Sequence, residues 1–175
     1  MTTKIITGES LEITSSPAYY TASASTLAGH LSGIDDRFAF TDDGILSFEY
    51  IQRLGSEAQV CSLADLGSGV VLAGTSATGQ IYKSTDSGAT WSLVQRLGSE
   101  IYARSLADLG SGVVLAGTYP SGQVYKSTDS GATWSLVQRL GSEAYVFSLL
   151  DMGSGVVLAG TGTTGQVYKS RLIYP

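Results

Sequence analysis

QRLGSEIYARSLADLGSGVVLAGTYPSGQVYKSTDSGATW, residues Gln95 to Trp134, decides the fold, because its turn signals cut it into short strands. The run Ile101–Leu106 predicts a first strand (A), ended by Asp108-Leu109-Gly110-Ser111-Gly112. Val113–Thr118 is β-branched and predicts strand B. Tyr119-Pro120-Ser121-Gly122 turns the chain into strand C, Gln123–Ser127. The turn TDSGAT then leads into strand D, Trp134–Leu140. No helical period of comparable length competes with this reading, so the expected class is all-β.

Outward from this unit the same text recurs without gaps. Equivalent segments start at Gln52 and Gln138, and Arg53, Arg96 and Arg139 set the period at 43 residues. Four short strands per 43 residues is the spacing of propeller blades. The third unit departs from the pattern. After Lys169-Ser170 it reads Arg171-Leu172-Ile173-Tyr174-Pro175, where the others have the turn and strand D. Upstream, Phe48–Leu54 stands in the register of Trp91–Leu97 and predicts an unaccompanied D strand. An unpaired edge at each end is a liability that proteins avoid. Three blades are too few for a ring, so closure is expected between chains, as a dimer of six blades or as a trimer. The expected partner is another copy of the chain, with Phe48–Leu54 adding to strand C of a third repeat, Gln166–Ser170.

The segments Ser84–Trp91 and Ser127–Trp134 both read STDSGATW and resemble the Asp-box (BNR) motif of sialidase-like β-propellers; the resemblance covers residues 48–175. It implies a structural turn built on Asp86, Gly88 and Trp91, and on Asp129, Gly131 and Trp134. The aspartates are expected to accept turn N–H bonds, the glycines to take positive φ, and the indoles to bury. Thr41-Asp42-Asp43-Gly44 looks like a degenerate copy.

Residues 1–47 read as an anchoring arm with a short helix capped at Ser25-Thr26 and carrying Leu27, Leu31, Ile34 and Phe38. The wording YTASASTLAGHLSGIDDRF, Tyr20–Phe38, resembles a segment of bacteriophage virion proteins that precedes fibre or spike modules. It implies a virion component, made in a host cytoplasm and displaying a β-rich C-terminal module.

Composition sets outer limits. Hydrophobic residues are 43% and charged residues 14%, which argues against disorder. A net charge of -5 lacks the basic footprint of a nucleic-acid binder. One cysteine, Cys61, excludes an internal disulfide, and with the single His30 it cannot build a zinc site. No apolar run approaches the ~20 residues of a membrane-spanning helix, and no signal peptide is visible. Neither a metal nor another cofactor is expected.

The sialidase resemblance raises catalysis, which in that family uses an arginine triad, a tyrosine–glutamate pair and an aspartate. Arg53, Arg96 and Arg139 are repeat-equivalent and fall on outer strands; only Arg104 falls on an inner one. Asp65, Asp108 and Asp151 are repeated turn residues. Catalysis needs different groups converging on one place, so the chain is read as non-enzymatic. Differences between repeats concentrate on strand A and the B–C loop, which share one face of a propeller. Tyr102, Arg104, Tyr119 and Tyr145 are the candidate binding residues there, suited to a cell-surface glycan or a protein receptor. Phe147 is expected to pack, Tyr119 to lie on the surface, and Cys61 to fill a buried gap. The function expected is a virion structural protein, in contact with other virion proteins, that contributes to host attachment. A free-standing carbohydrate-binding lectin is the alternative.

Overall fold

The computed structural model describes residues 48–170, and the unit treated below begins at Ile51. The expected arm, the helix Leu27–Phe38, His30, the Thr41–Gly44 turn and residues 171–175 lie outside the described residues.

Eleven strands form three antiparallel meanders. The first blade runs β1 (Val60–Asp65), β2 (Val71–Thr75), β3 (Gln80–Ser84) and β4 (Ser92–Arg96) in that order. The second runs β5 (Tyr102–Asp108), β6 (Val114–Tyr119), β7 (Gln123–Ser127) and β8 (Ser135–Arg139). The third has β9 (Tyr145–Asp151), β10 (Val157–Gly162) and β11 (Val167–Lys169), with β11 at its edge. Among the described residues there is no helix. The all-β class and the division into A, B, C and D strands are thus as the sequence predicts. Each A strand is innermost, with β5 between β1 and β9, while the D strand β8 is exposed along its whole length.

The blades stack through their A and B strands. Leu72, Ile81, Leu97, Ala103, Val114, Ala116, Tyr125 and Trp134 form the core shared by the first two blades. Val124, Leu140, Val146 and Ala159 join the second to the third. Close approach at these joints requires glycine. A Cβ at Gly74 would collide with the Ala103 carbonyl, and one at Gly117 would meet the Val146 side chain. Ser62 and Ser105 lace the same joints, donating to the carbonyls of Ala103 (3.4 Å) and Val146 (3.2 Å).

One expected element is absent. Phe48–Leu54 is not a strand; Phe48, Tyr50 and Ile51 are 90%, 84% and 62% exposed. A D strand exists only by pairing with the C strand of the blade before it, and no described blade precedes β1. Only its last residue behaves as expected. Leu54 is buried with Ala73 and Tyr82, as Leu97 and Leu140 are at the same place in their repeats. Tyr82 and Tyr125 are buried strand-face residues with hydroxyls donating to Gln80 and Gln123; Tyr168, in the third blade, is half-buried.

Candidate functional site

The four candidate binding residues come together at one end of the blades. Antiparallel pairing sets Tyr102, at the start of β5, opposite Tyr119, at the end of β6. Tyr145 begins β9 in the next blade. The Tyr119 and Tyr145 rings stack at 4.1 Å and 14°, and Tyr145 stacks on Phe147 at 4.8 Å and 5°. Tyr102 meets Tyr119 edge-on at 5.3 Å. The Arg104 guanidinium lies 5.1 Å from the Phe147 centroid and 5.9 Å from that of Tyr102, within cation–π range.

Arg104 owes its direction to a backbone irregularity. In each blade the A–B register skips one A-strand residue: between Val60 and Ser62, between Ala103 and Ser105, and between Val146 and Ser148. The extra residues are Cys61, Arg104 and Phe147. A β-bulge re-aims a side chain and often sits beside a functional site. Here three equivalent bulges line up three different side chains along neighbouring inner strands. The pattern was visible in the sequence as the most divergent position of otherwise matching repeats, but alternation alone does not reveal a bulge.

Three expectations about this row are corrected. Tyr119 is half-buried in the stack rather than a free loop residue, because strand β6 runs on to include it. Phe147 is 43% exposed, with Tyr145 on one side, since the bulge turns it out of the sheet packing. Cys61 is half-buried rather than a core filler. Burial pushes its thiol above the ordinary value, opposed by the Arg104 charge beside it. The Tyr145 phenol is also raised, first by hydrogen bonding with Tyr119 and then by desolvation.

The residues of the STDSGATW turns lie at the opposite end, next to the A–B turns: Ser87 N–H donates to Gly69 O and Ser130 N–H to Gly112 O, both at 2.9 Å. Ser127 Oγ accepts from the N–H of Gly131 (2.9 Å) and donates to Asp129 (2.7 Å). Asp129 accepts from Thr133 N–H (2.8 Å) and its hydroxyl (2.6 Å). Asp86 repeats this with Thr90 at 2.8 and 2.5 Å. These bonds, led by the threonine hydroxyls, hold both carboxyls at about 2. Gly88 and Gly131 have φ of +91° and +81°, so the expected positive φ is present. Trp134 is 7% exposed and donates to Gly131 O, whereas Trp91 is only half-buried. The full burial expected of both indoles holds for the one that has a blade on each side.

Sequence reasoning missed Glu57, Glu100 and Glu143, buried at 7%, 1% and 1% exposure. Each caps the B–C loop of its own blade: Glu100 accepts from Ser121 N–H at 3.2 Å, and Glu143 from the Thr164 hydroxyl. Thr164 holds the Glu143 carboxyl below its ordinary value. The available signal was an acid kept unchanged in every repeat beside a loop that varies. Among the described residues no group of three or more His, Cys, Asp or Glu side chains is placed to hold a metal ion.

No family model matches this chain, and no curated protein is significantly similar to it. Solved structures do match in shape. YCF48 bound to D1 peptide superposes with a TM-score of 0.57 at 16% identity, over 69% of this chain and 40% of that one. An ancestral GH74 enzyme gives 0.54 at 20% identity, over 68% of this chain and 19% of its own. The WD40 β-propeller domain of Doa1 gives 0.52 at 19% identity, over 70% and 40%. The chain spans well under half the length of each. At such identities the likeness concerns the fold, and fold alone does not transfer an activity. Three stacked antiparallel blades with innermost A strands, matched by these structures, make the chain a β-propeller-type module.

Proposed function

We propose that the chain is a non-enzymatic attachment module of a bacteriophage virion, built on Asp-box repeats, which binds a cell-surface saccharide at the row Tyr102–Tyr119–Tyr145–Phe147 with Arg104. The observation that carries this reading is the row itself. Tyrosine and arginine in a pre-stacked cluster offer contact area at little cost in side-chain entropy. The phenol hydroxyls and the guanidinium N–H groups suit sugar hydroxyls and a sugar carboxylate, and Phe147 offers an exposed ring. The reactive groups of the row are one guanidinium, three phenols and the Cys61 thiol. Glycoside hydrolysis takes a pair of carboxylates, or in sialidases a tyrosine paired with a glutamate and an acid/base aspartate, and the row as named carries no carboxylate, so binding suits it better than turnover. The virion setting rests on the Tyr20–Phe38 resemblance.

The test is a glycan array probed with the purified chain, alongside Arg104→Ala and Tyr145→Ala. Binding of an acidic saccharide that either substitution weakens at least ~10-fold, the loss of one charged hydrogen bond, supports the reading. Equal binding by all three proteins, or none by any, removes the site. Co-purification with assembled particles at fixed copy number separates a virion component from a free-standing lectin.

A further inference from the structure

Each blade carries a downstream face that receives the next blade and an upstream face that enters the previous one. Within the chain this joint is made twice, and what it consists of is clear. The first blade's Gly74 seats Ala103, its Gly79 N–H donates to Ile101 O at 3.0 Å, and its Ser62 donates to Ala103 O. Its Lys83 Nζ donates to Ser130 O at 2.9 Å, and its Leu72 lies against Gly131 of the second blade's STDSGATW turn. The second joint repeats the seat, with Gly117 receiving Val146 and Gly122 N–H donating to Ala144 O at 2.9 Å.

Among the described residues, both halves of this joint recur unfilled at the two ends. On the third blade, a Cβ at Gly160 would meet only Ser148, and at Gly165 nothing within 4 Å. Ser148, Gly165 and Lys169 are exposed where Ser105, Gly122 and Gly79 are buried and Lys83 half-buried. Leu158 and Lys169, the equivalents of Leu72 and Lys83, line a cavity of about 330 Å³ with Met152, Gly153, Ser154 and Val156. On the first blade, Val60 is 50% exposed where Ala103 and Val146 are fully buried. Gly88 has only Trp91 near its Cβ position, and Ser87 is exposed where Ser130 is half-buried.

We propose that the third blade of one copy receives the first blade of a second copy through this same joint. Val60 of the second copy fills the seat at Gly160. Its Val60 carbonyl accepts from Ser148, and its Ala58 carbonyl from Gly165 N–H. Its Ser84–Trp91 turn plugs the Leu158–Lys169 cavity, with Lys169 Nζ donating to Ser87 O. The exposed segment Phe48–Arg53 of that copy then adds as a strand to the edge of β11. The β3–β4 register, Gln80 against Arg96 and Lys83 against Ser92, sets Gln166 against Arg53 and Lys169 beside Glu49. The occupant is a second copy because its first blade carries each complementary group in the position the internal joints use. A joint whose two halves differ closes as a ring or runs on as a filament. Propellers have about 4–8 blades, and six is the multiple of three in that range, so the closed form is a dimer.

The test is the sedimentation mass of the 175-residue chain and of variants on the two faces. Gly160→Val fills the seat, and Val60→Asp and Lys169→Glu alter exposed side chains; thermal melts confirm folding. The wild type is expected to sediment as a dimer, and each single variant to dissociate with a constant raised at least ~10-fold, as expected for a misplaced charge or clash. Mixing Gly160→Val with Val60→Asp restores a singly joined pair, because one intact joint remains. The charge exchange Glu49→Lys restores Lys169→Glu. A monomeric wild type, as would follow if residues 1–47 or 171–175 covered these faces in their own chain, overturns the proposal. So does a dimer indifferent to all three variants.

Discussion

Trp134 and Trp91 have the same neighbours in sequence and different fates. Trp134 is buried between two blades and hydrogen-bonded to Gln95 through its backbone, 3.2 Å for the N–H donor. Trp134→Ala should cost about 3–5 kcal/mol in urea unfolding, the range for a large core aromatic, and Trp91→Ala clearly less. Asp86 and Asp129 set an acid limit. Their folded values of about 2 lie below the ordinary 3.8, so the stability they contribute is fully present above pH ~4. It falls away as the pH drops from there towards 2. The melting temperature should fall over that window, and the double variant Asp86→Asn, Asp129→Asn should flatten the fall while starting from a lower plateau. Tyr119→Ser breaks a stack on Tyr145 and an edge contact with Tyr102. It should cost about 1–3 kcal/mol, since each aromatic pair is worth about 0.5–1.5 kcal/mol.

At the scale of elements, the joints rather than the sheets carry the specificity. The B strands of all three blades read VLAG, yet the glycine is constrained only where a neighbour has arrived. Gly74→Ala would collide with the Ala103 carbonyl, which cannot turn aside, and should destabilise by about 1–3 kcal/mol, the usual cost of overpacking. Gly160→Ala meets only the Ser148 hydroxyl, which rotates away, and should be nearly neutral in the isolated chain. Denaturant midpoints of the two variants, taken at concentrations where the chain is monomeric, compare them directly. Equal losses would mean that the glycine matters to strand geometry and not to the joint.

At the scale of the molecule, among the described residues, each blade packs chiefly on its neighbours along the chain, so local stability follows position along the stack. The second blade has four strands and a blade on each side. The third has a three-residue edge strand, with Val167 73% exposed. Hydrogen exchange of the amides should therefore be slowest in β5–β7 and fastest in β11. A uniform rate across the blades would point to a single cooperative unit instead. If the end faces join between copies, protection of β11 should rise with protein concentration.

What the sequence determined by itself was periodic and local. The 43-residue period, the turn residues and the β-branched runs specify strands A to D, and identical text in each repeat specifies identical hydrogen bonds, such as those of Ser84 and Ser127. It also marked the variable positions 102, 104, 119 and 145, because divergence stands out against near-identical copies. What it did not contain is anything that depends on a neighbour. Three equivalent bulges aim Cys61, Arg104 and Phe147 into one row, and a bulge is a property of pairing between two strands. Gly74 and Gly160, Trp134 and Trp91, Val146 and Val60 share repeat positions and differ in burial. The reason is physical: burial belongs to a pair of surfaces, and only the stacked blades decide which copies of a repeated residue have the second surface.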